Sequence, residues 1–373
     1  MRRSVRHLAI VIRRVLGNAL VAVFSLVLAF ALGEVVVRGL YREATVLFPR
    51  YHTDYQYGPY TIRGIRPRAE FWHTSADGSW KFVTNSRGFR ATGEYAYEKP
   101  GGTLRVLALG DSHTQGYEVR QEFTYAAVAE RFLAHRNVRA EAINAGVSGF
   151  STAEALVFLE NEGYKYRPDL VVLGFYANDF EDNLKAGLFT LDADNRPVER
   201  ERAHVPGVRI QNAIYSLAPM RWLSENSYFY SLLLNNVWEY FKARLARAAA
   251  AEYAIANQDG PSAREILLAA ALIERMHRFC ADNGMRLLVV DIPRRTEPPR
   301  FASSLPGELR ARFEAAGIEY VPSEAVLGPV EGAGEIHVAH GHHHISEFTH
   351  TLIGVEIARR LLAQKSVLTA QAR

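Results

Sequence analysis

Four short polar segments of this sequence carry side chains that could perform nucleophilic chemistry. Ser112 lies in LALGDSHTQG, where an apolar run ends at a Gly-Asp-Ser turn. Gly149 lies in NAGVSGFST and Asn178 in GFYANDF, and His344 lies in HHHISEFTH near the C-terminus. A histidine can act as the general base for a serine nucleophile, and an asparagine amide can donate to developing negative charge. These residue types together predict acyl transfer through a serine.

Predicted strands and helices alternate around these segments. The predicted strands span 104–109, 138–144, 170–175, 285–291 and 318–321, and the predicted helices span 124–134, 152–164, 263–283 and 307–316. This alternation indicates βαβ units and a parallel sheet. Ligands bind at the carboxyl ends of such strands, where the first three polar segments fall. A lone serine in this position is also an ordinary helix cap, so the interpretation depends on all four segments.

In this order the four segments resemble the SGNH hydrolases, also called the GDSL esterase and lipase family, over about residues 104–362 apart from an insertion. The resemblance implies a three-layer α/β/α, flavodoxin-like fold with a central parallel sheet. It also implies that Ser112 is the nucleophile and His344 the base. The implied oxyanion hole consists of the backbone N–H groups of Ser112 and Gly149 and the side-chain amide of Asn178. This chemistry requires no organic cofactor and no metal.

One position departs from the family pattern. Three residues before His344, where the family usually has aspartate, this chain has Gly341. Three possibilities follow: a backbone carbonyl holds the imidazole, a carboxylate such as Glu335 reaches it from elsewhere, or the domain is weakly active or inactive. A further alternative makes His350 the base, with Glu347 three residues before it, although the flanking pattern favours His344.

Other features near these segments predict supporting roles. Asp111 is expected to stabilise the turn rather than act as the catalytic acid. His113 is expected to face solvent at the mouth of the pocket, with contact to substrate as the alternative. The C-terminal region is rich in histidine, but it lacks cysteine and has few carboxylates. This composition favours a solvated loop around one catalytic histidine over a metal site. The histidines are His337, His340, His342, His343, His344 and His350.

The first 40 residues predict a basic tail and a transmembrane anchor. Residues 15–32 contain only Asn18 and Ser25 as polar residues, and this apolar segment is long enough to span a bilayer. The arginines before this run place the first residues in the cytoplasm and the rest of the chain across the membrane. A signal peptide cleaved after Ala31 is the alternative, although the apolar run is longer than a usual signal segment. We therefore expect a single-pass protein of the inner (cytoplasmic) membrane of a bacterial envelope, with a periplasmic or otherwise extracytoplasmic catalytic domain.

The remaining organisation is predicted from composition. Residues 41–102 are rich in aromatic and turn residues, which predicts a membrane-proximal segment with short strands, and the hydrolase domain is expected over 103–365. An aromatic-rich insertion at about 183–260 contains a helix-compatible stretch at 220–245. That stretch is expected to pack on the core, to cover the site as a lid, or to lie near the membrane surface.

The overall composition limits the partners. The net charge is +4 and much of the excess lies in the N-terminal tail, so a nucleic-acid partner is not expected. The sequence predicts a membrane-anchored serine esterase acting on an acyl ester, with acetyl favoured, of an envelope carbohydrate or lipid. Two alternatives remain: an O-acyltransferase that modifies a surface polysaccharide, and a catalytically impaired carbohydrate- or lipid-binding module, which Gly341 favours.

Overall fold

The N-terminal helix projects from the rest of the protein. The computed structural model describes residues 2–253, 260–296 and 301–371. Helix α1 (Arg2–Leu40) contains a segment, Val11–Leu40, that is long and apolar enough to cross a membrane. Its apolar side chains are largely exposed, with Leu20 at 70% and Phe24 at 69%.

Two antiparallel hairpins follow this helix. They comprise β1 (His52–Tyr57) with β2 (Tyr60–Ile65), and β3 (Glu70–Ser75) with β4 (Gly78–Val83). Aromatic rings hold them together, since Phe71 stacks on Phe82 with ring centroids 4.8 Å apart and on Tyr51 at 5.0 Å. The short strands predicted for this region are present.

Parallel strands and helices alternate in the next part of the chain. They are β5 (Leu104–Gly110), α2 (Ser112–Gln115), α3 (Tyr125–His135), β6 (Ala140–Asn144), α4 (Thr152–Asn161), β7 (Leu170–Phe175) and α5 (Asp179–Ala186). The insertion then contributes β8 (Phe189–Leu191), β9 (Pro197–Glu199), β10 (Ala203–His204), α6 (Val208–Ser216), α7 (Ala218–Asn226) and α8 (Tyr228–Tyr253). The last part contains α9 (Ala263–Asp282), β11 (Arg286–Asp291), β12 (Arg294–Arg295), β13 (Phe301–Ala302), α10 (Gly307–Ala316), β14 (Glu319–Val321), α11 (Ser323–Leu327) and α12 (Glu347–Gln371). Single 3₁₀ turns lie at Gln121–Phe123, Gly163–Tyr166 and Gly328–Val330.

The central sheet has five parallel strands in the order β14-β11-β7-β5-β6. Successive residues of β5 point to opposite faces of this sheet. Leu107 belongs to the apolar cluster that includes residues of α4 and α9, whereas Ala108 belongs to the cluster that includes residues of α3 and α12. The predicted three-layer α/β/α fold is therefore confirmed. Its strand order is the flavodoxin-like one. In such sheets ligands bind between the two neighbouring strands whose connections lead to opposite sides of the sheet. Here these strands are β5, which connects to β6, and β7, which connects to β11.

The insertion contacts both the N-terminal helix and the hairpins. Strand β10 pairs in parallel with β2. Glu34 of α1 accepts hydrogen bonds at the start of α8, from the Ser227 hydroxyl at 2.7 Å and from the backbone N–H groups of Tyr228 at 3.1 Å and Phe229 at 3.0 Å. Because these N–H groups have no partner within their own helix, the carboxylate acts as a cap supplied by another element.

Candidate active site

Ser112 lies at the carboxyl end of β5, as the first residue of α2. Asp111 caps this short helix, since its carboxylate accepts the His113 N–H at 2.9 Å. Asp111 and His113 are buried, whereas Ser112 is partly exposed. The turn therefore holds the serine hydroxyl at the surface of a rigid sheet edge. The expectation that Asp111 stabilises this turn agrees with the geometry.

His344 approaches Ser112 from the loop that precedes α12. Its Nε2 atom lies 2.8 Å from the Ser112 Oγ atom, although the two residues are 232 positions apart in the chain. The next residue, Ile345, is fully buried, and its N–H donates to Nδ1 of His113 at 3.4 Å. The buried isoleucine anchors the loop and presents the imidazole to the hydroxyl.

A carboxylate that the sequence analysis missed lies on the other side of this imidazole. Oε2 of Glu118, from the loop after α2, is 3.3 Å from Nδ1 of His344. The same carboxylate accepts the His342 N–H, with both oxygens 3.2 Å from the nitrogen. Glu335 is not the carboxylate beside His344. It contacts the loop through its backbone carbonyl, which accepts the Ser346 hydroxyl. A carboxylate from elsewhere was one of the expected possibilities, but the residue in that position is Glu118.

Gly341 lies against the Glu118 carboxylate. Its φ is +66°, in the left-handed region that favours glycine. A Cβ atom at this position would lie 1.8 Å from Oε1 of Glu118. The space beside residue 341 is therefore occupied by the side chain of residue 118.

Gly149 and Asn178 lie in the loops that follow β6 and β7. Oε1 of Gln115, on α2, accepts the Ser148 N–H at 2.8 Å and so ties the loop of Gly149 to the helix that begins at Ser112. Gly149 has a φ of +77°, and the guanidinium of Arg63 lies against it, 2.8 Å from where a Cβ would be. The Asn178 amide donates to Oδ2 of Asp111 at 3.4 Å. Both residues therefore reach the same sheet edge as the serine.

Burial shifts the ionisation of two groups beside the pair. Desolvation raises the pKa of Asp111 to about 6, partly offset by the hydrogen bond from the His113 N–H. Desolvation lowers the pKa of His113 well below its usual value, so its ring stays neutral. His113 packs between Tyr176 and His344, with ring centroids 4.3 Å and 4.6 Å away. The expectation that His113 faces solvent is wrong, because its ring fills the space beneath the imidazole.

The other histidines of the C-terminal region have separate partners. His350 is fully buried, accepts the Tyr125 N–H at 3.2 Å, and has its pKa lowered to about 3 by desolvation. His340 contacts Asp77 at 2.8 Å, and His337 contacts the Pro293 carbonyl at 2.9 Å. Within the described ranges, no group of three or more histidine, cysteine, aspartate or glutamate residues is placed to hold a metal ion. The alternative base, His350, therefore lies in the core between α3 and α12.

The central parallel sheet defines an α/β fold, and Ser112 and His344 meet at the carboxyl edge of that sheet. Residues 108–264 match the model of the GDSL-like lipase/acylhydrolase family, and the chain carries a domain of this family of ester-hydrolysing enzymes. The resemblance identified from the four polar segments is thereby confirmed.

Solved structures of similar proteins include two enzymes of bacterial origin. The lipase/acylhydrolase from Enterococcus faecalis is 16% identical, with a TM-score of 0.39, over 70% of this chain and 96% of that one. An acetyl-xylooligosaccharide esterase from Geobacillus is 12% identical, with a TM-score of 0.38, over 71% of this chain and 95% of that one. No curated protein matches this chain.

Proposed function

We propose that this protein is a membrane-anchored serine esterase that hydrolyses an acyl ester, with acetyl the favoured acyl group, on a carbohydrate or lipid of the cell envelope. The observation that carries the proposal is the 2.8 Å contact between the Ser112 hydroxyl and Nε2 of His344 at the carboxyl edge of the sheet. This distance lies within the hydrogen-bond reach that a general base needs.

The proposed reaction proceeds through an acyl-enzyme. The Ser112 oxygen attacks the ester carbonyl carbon while its proton passes to Nε2 of His344. His344 then gives this proton to the oxygen of the departing alcohol, and the acyl group remains on the serine. Water attacks the acyl-enzyme with His344 again as the base, which releases the carboxylic acid and restores the hydroxyl.

The negative charge of each tetrahedral intermediate falls on the former carbonyl oxygen. In the proposed mechanism the backbone N–H groups of Ser112 and Gly149 and the Asn178 amide donate to it. The amide has two hydrogens, so the contact with Asp111 uses one and leaves the other for the oxyanion.

Contacts of α1 with the rest of the protein support an anchor that is retained. Besides the Glu34 cap of α8, the ring of Phe30 packs edge-on against Phe229 with centroids 5.3 Å apart. Arg38 donates to Glu34 at 2.5 Å and to the Asn226 carbonyl at 2.7 Å. Cleavage after Ala31 would leave the contacts of Glu34 and Arg38 and remove that of Phe30, so the packing of Phe30 on Phe229 is the contact that favours retention.

The test is hydrolysis of p-nitrophenyl acetate by the full chain in detergent micelles. The wild type is compared with Ser112→Ala and His344→Ala. His340→Ala serves as the control, because this partly exposed histidine of the same loop contacts Asp77 instead of the serine. We expect turnover only in the wild type and the control. A folded wild type that neither hydrolyses the ester nor is acylated at Ser112 would refute the esterase. An acyl-enzyme that is released only when a carbohydrate acceptor supplies its hydroxyl group would identify an O-acyltransferase.

A further inference from the structure

We propose that Glu118 is the positioning acid of this site, which holds the His344 imidazole from a loop of its own and replaces the side chain that Gly341 lacks. The inference rests on the proposed Ser112–His344 reaction and adds a third residue to it. It concerns how the base is oriented, since the position three residues before His344 is Gly341, which provides no acid.

The contacts of Glu118 determine which imidazole nitrogen carries the proton. An ionised carboxylate only accepts hydrogen bonds, so the Nδ1 atom at 3.3 Å must be the donor. Nε2 is then unprotonated and free to accept from the Ser112 hydroxyl at 2.8 Å. The bond from the His342 N–H fixes the carboxylate itself. The geometry therefore imposes the tautomer that a general base requires.

The local structure of Glu118 is costly in two respects. Its side chain is buried, and a buried carboxylate is unfavourable unless it is hydrogen-bonded. Its φ is +60°, which is uncommon for any residue other than glycine. Unusual backbone of this kind is concentrated at functional sites, where the surrounding structure maintains it. A role at His344 accounts for both costs.

Gly341 is the necessary complement of this arrangement. Its missing Cβ would lie 1.8 Å from Oε1 of Glu118, so a side chain at 341 and the present carboxylate exclude each other. The loop is also held from the opposite side, because the Gly341 N–H donates to the Glu43 carbonyl at 3.3 Å and Val46 packs beside it. Gly341 therefore leaves free the space that the Glu118 carboxylate occupies.

The first experiment removes the charge and keeps the shape. In the full chain in detergent, Glu118→Gln should lower kcat for p-nitrophenyl acetate by a factor approaching ~10⁴, as removal of the orienting acid does in serine proteases, with little change in KM. Glu118→Asp should retain part of the activity. The matched control is Glu347→Gln, because this carboxylate lies three residues after His344 but pairs with Arg120. Equal kcat in Glu118→Gln and the wild type would overturn the inference.

The second experiment moves the carboxylate. Glycine readily adopts the positive φ of residue 118, so the Glu118→Gly variant should fold. This variant should lose activity, and removal of the side chain opens the space beside residue 341. Adding Gly341→Asp should restore at least about tenfold in kcat, since aspartate is among the residues that tolerate a positive φ. A double variant no more active than Glu118→Gly would argue against the exchange of positions.

A spectroscopic readout separates this inference from the proposed function. In protein labelled with ¹⁵N-histidine, the resonance assigned through His344→Ala should show a protonated Nδ1 in the wild type, and this signature should disappear in Glu118→Gln. A wild type without esterase activity that shows this change would refute the esterase and keep the positioning role. A His344 resonance that is the same in both proteins would overturn the role, whatever the activity.

Discussion

The Asn178 amide donates to the carboxylate of Asp111, the residue that precedes the proposed nucleophile, across 3.4 Å. Because an ionised carboxylate cannot donate, this contact fixes which edge of the amide carries its hydrogens. The structure thus couples the turn that presents Ser112 to the proposed oxyanion donor on the neighbouring strand.

Asn178→Ala removes that donor and should lower kcat by about 10²–10³-fold with a small effect on KM, since the interaction strengthens only in the transition state. The measurement is steady-state hydrolysis of p-nitrophenyl acetate, with thermal unfolding to verify that the variant is folded. Unchanged turnover would exclude Asn178 from the oxyanion hole.

Gly149→Ala tests the second proposed donor through its backbone. The left-handed φ of +77° should cost about 1–2 kcal/mol of stability in any residue with a Cβ. The new Cβ would also press on the Arg63 guanidinium. Chemical denaturation should show this loss together with reduced kcat, and Arg63→Ala in the same chain should relieve the contact but not the backbone strain. Full stability in Gly149→Ala would contradict the strain argument.

His350→Ala should have the opposite effect to His344→Ala. It leaves the buried Tyr125 N–H without an acceptor, which costs about 1–3 kcal/mol in addition to the cavity, while kcat stays at the wild-type value. His344→Ala should abolish turnover. Loss of turnover in a folded His350→Ala variant would reinstate His350 as the base.

Asp111 should make stability depend on pH. Its pKa is about 6 in the folded protein and about 3.9 in an unfolded chain, so the folded state binds its proton more tightly between these values. Stability contributed by this group therefore falls as the pH rises from about 4 to about 6, by an amount on the order of 3 kcal/mol. Asp111→Asn should gain stability relative to the wild type over that window in urea titrations. A difference between the two proteins that does not vary with pH would disprove this assignment.

Glu34→Ala should loosen the start of α8. Loss of a helix cap costs about 1–2 kcal/mol, and here it frees the N–H groups of Tyr228 and Phe229. Hydrogen exchange of these amides in micelles should accelerate, whereas Glu43→Ala, which changes an exposed carboxylate, should leave them protected. Equal protection in both variants would show that the Glu34 cap contributes little.

Much of the fold could be predicted from the sequence because its signals are local. Apolar runs such as LRVLAL and LVVLGF are bounded by turn residues, and the helices between them begin with caps such as Ser151 and Ser262. The polar segments after the strands were also visible, since the carboxyl ends of parallel strands meet at one edge.

Glu118 could not be predicted in the same way. It stands in GYEV as an ordinary turn residue, and its contact with His344 spans 226 positions of the chain. The contact depends on a left-handed backbone at residue 118 and on the absence of a side chain at residue 341. The glycine was the visible signal, but it shows only that space is available. The carboxylate that fills the space is found only in three dimensions.

The hydrogen bond from the Gly341 N–H to the Glu43 carbonyl ties the loop that carries His344 to the residues just after α1. Helix α1 ends at Leu40, and Glu43 follows three residues later, so the extended chain places it at most about 10 Å from the end of the helix. If α1 lies in a bilayer as proposed, the loop at residues 337–344 lies close to the membrane surface. In that arrangement the proposed esterase would reach only ester groups in the thin layer next to the membrane. Its encounter rate would then depend on lateral diffusion and surface density more than on bulk concentration.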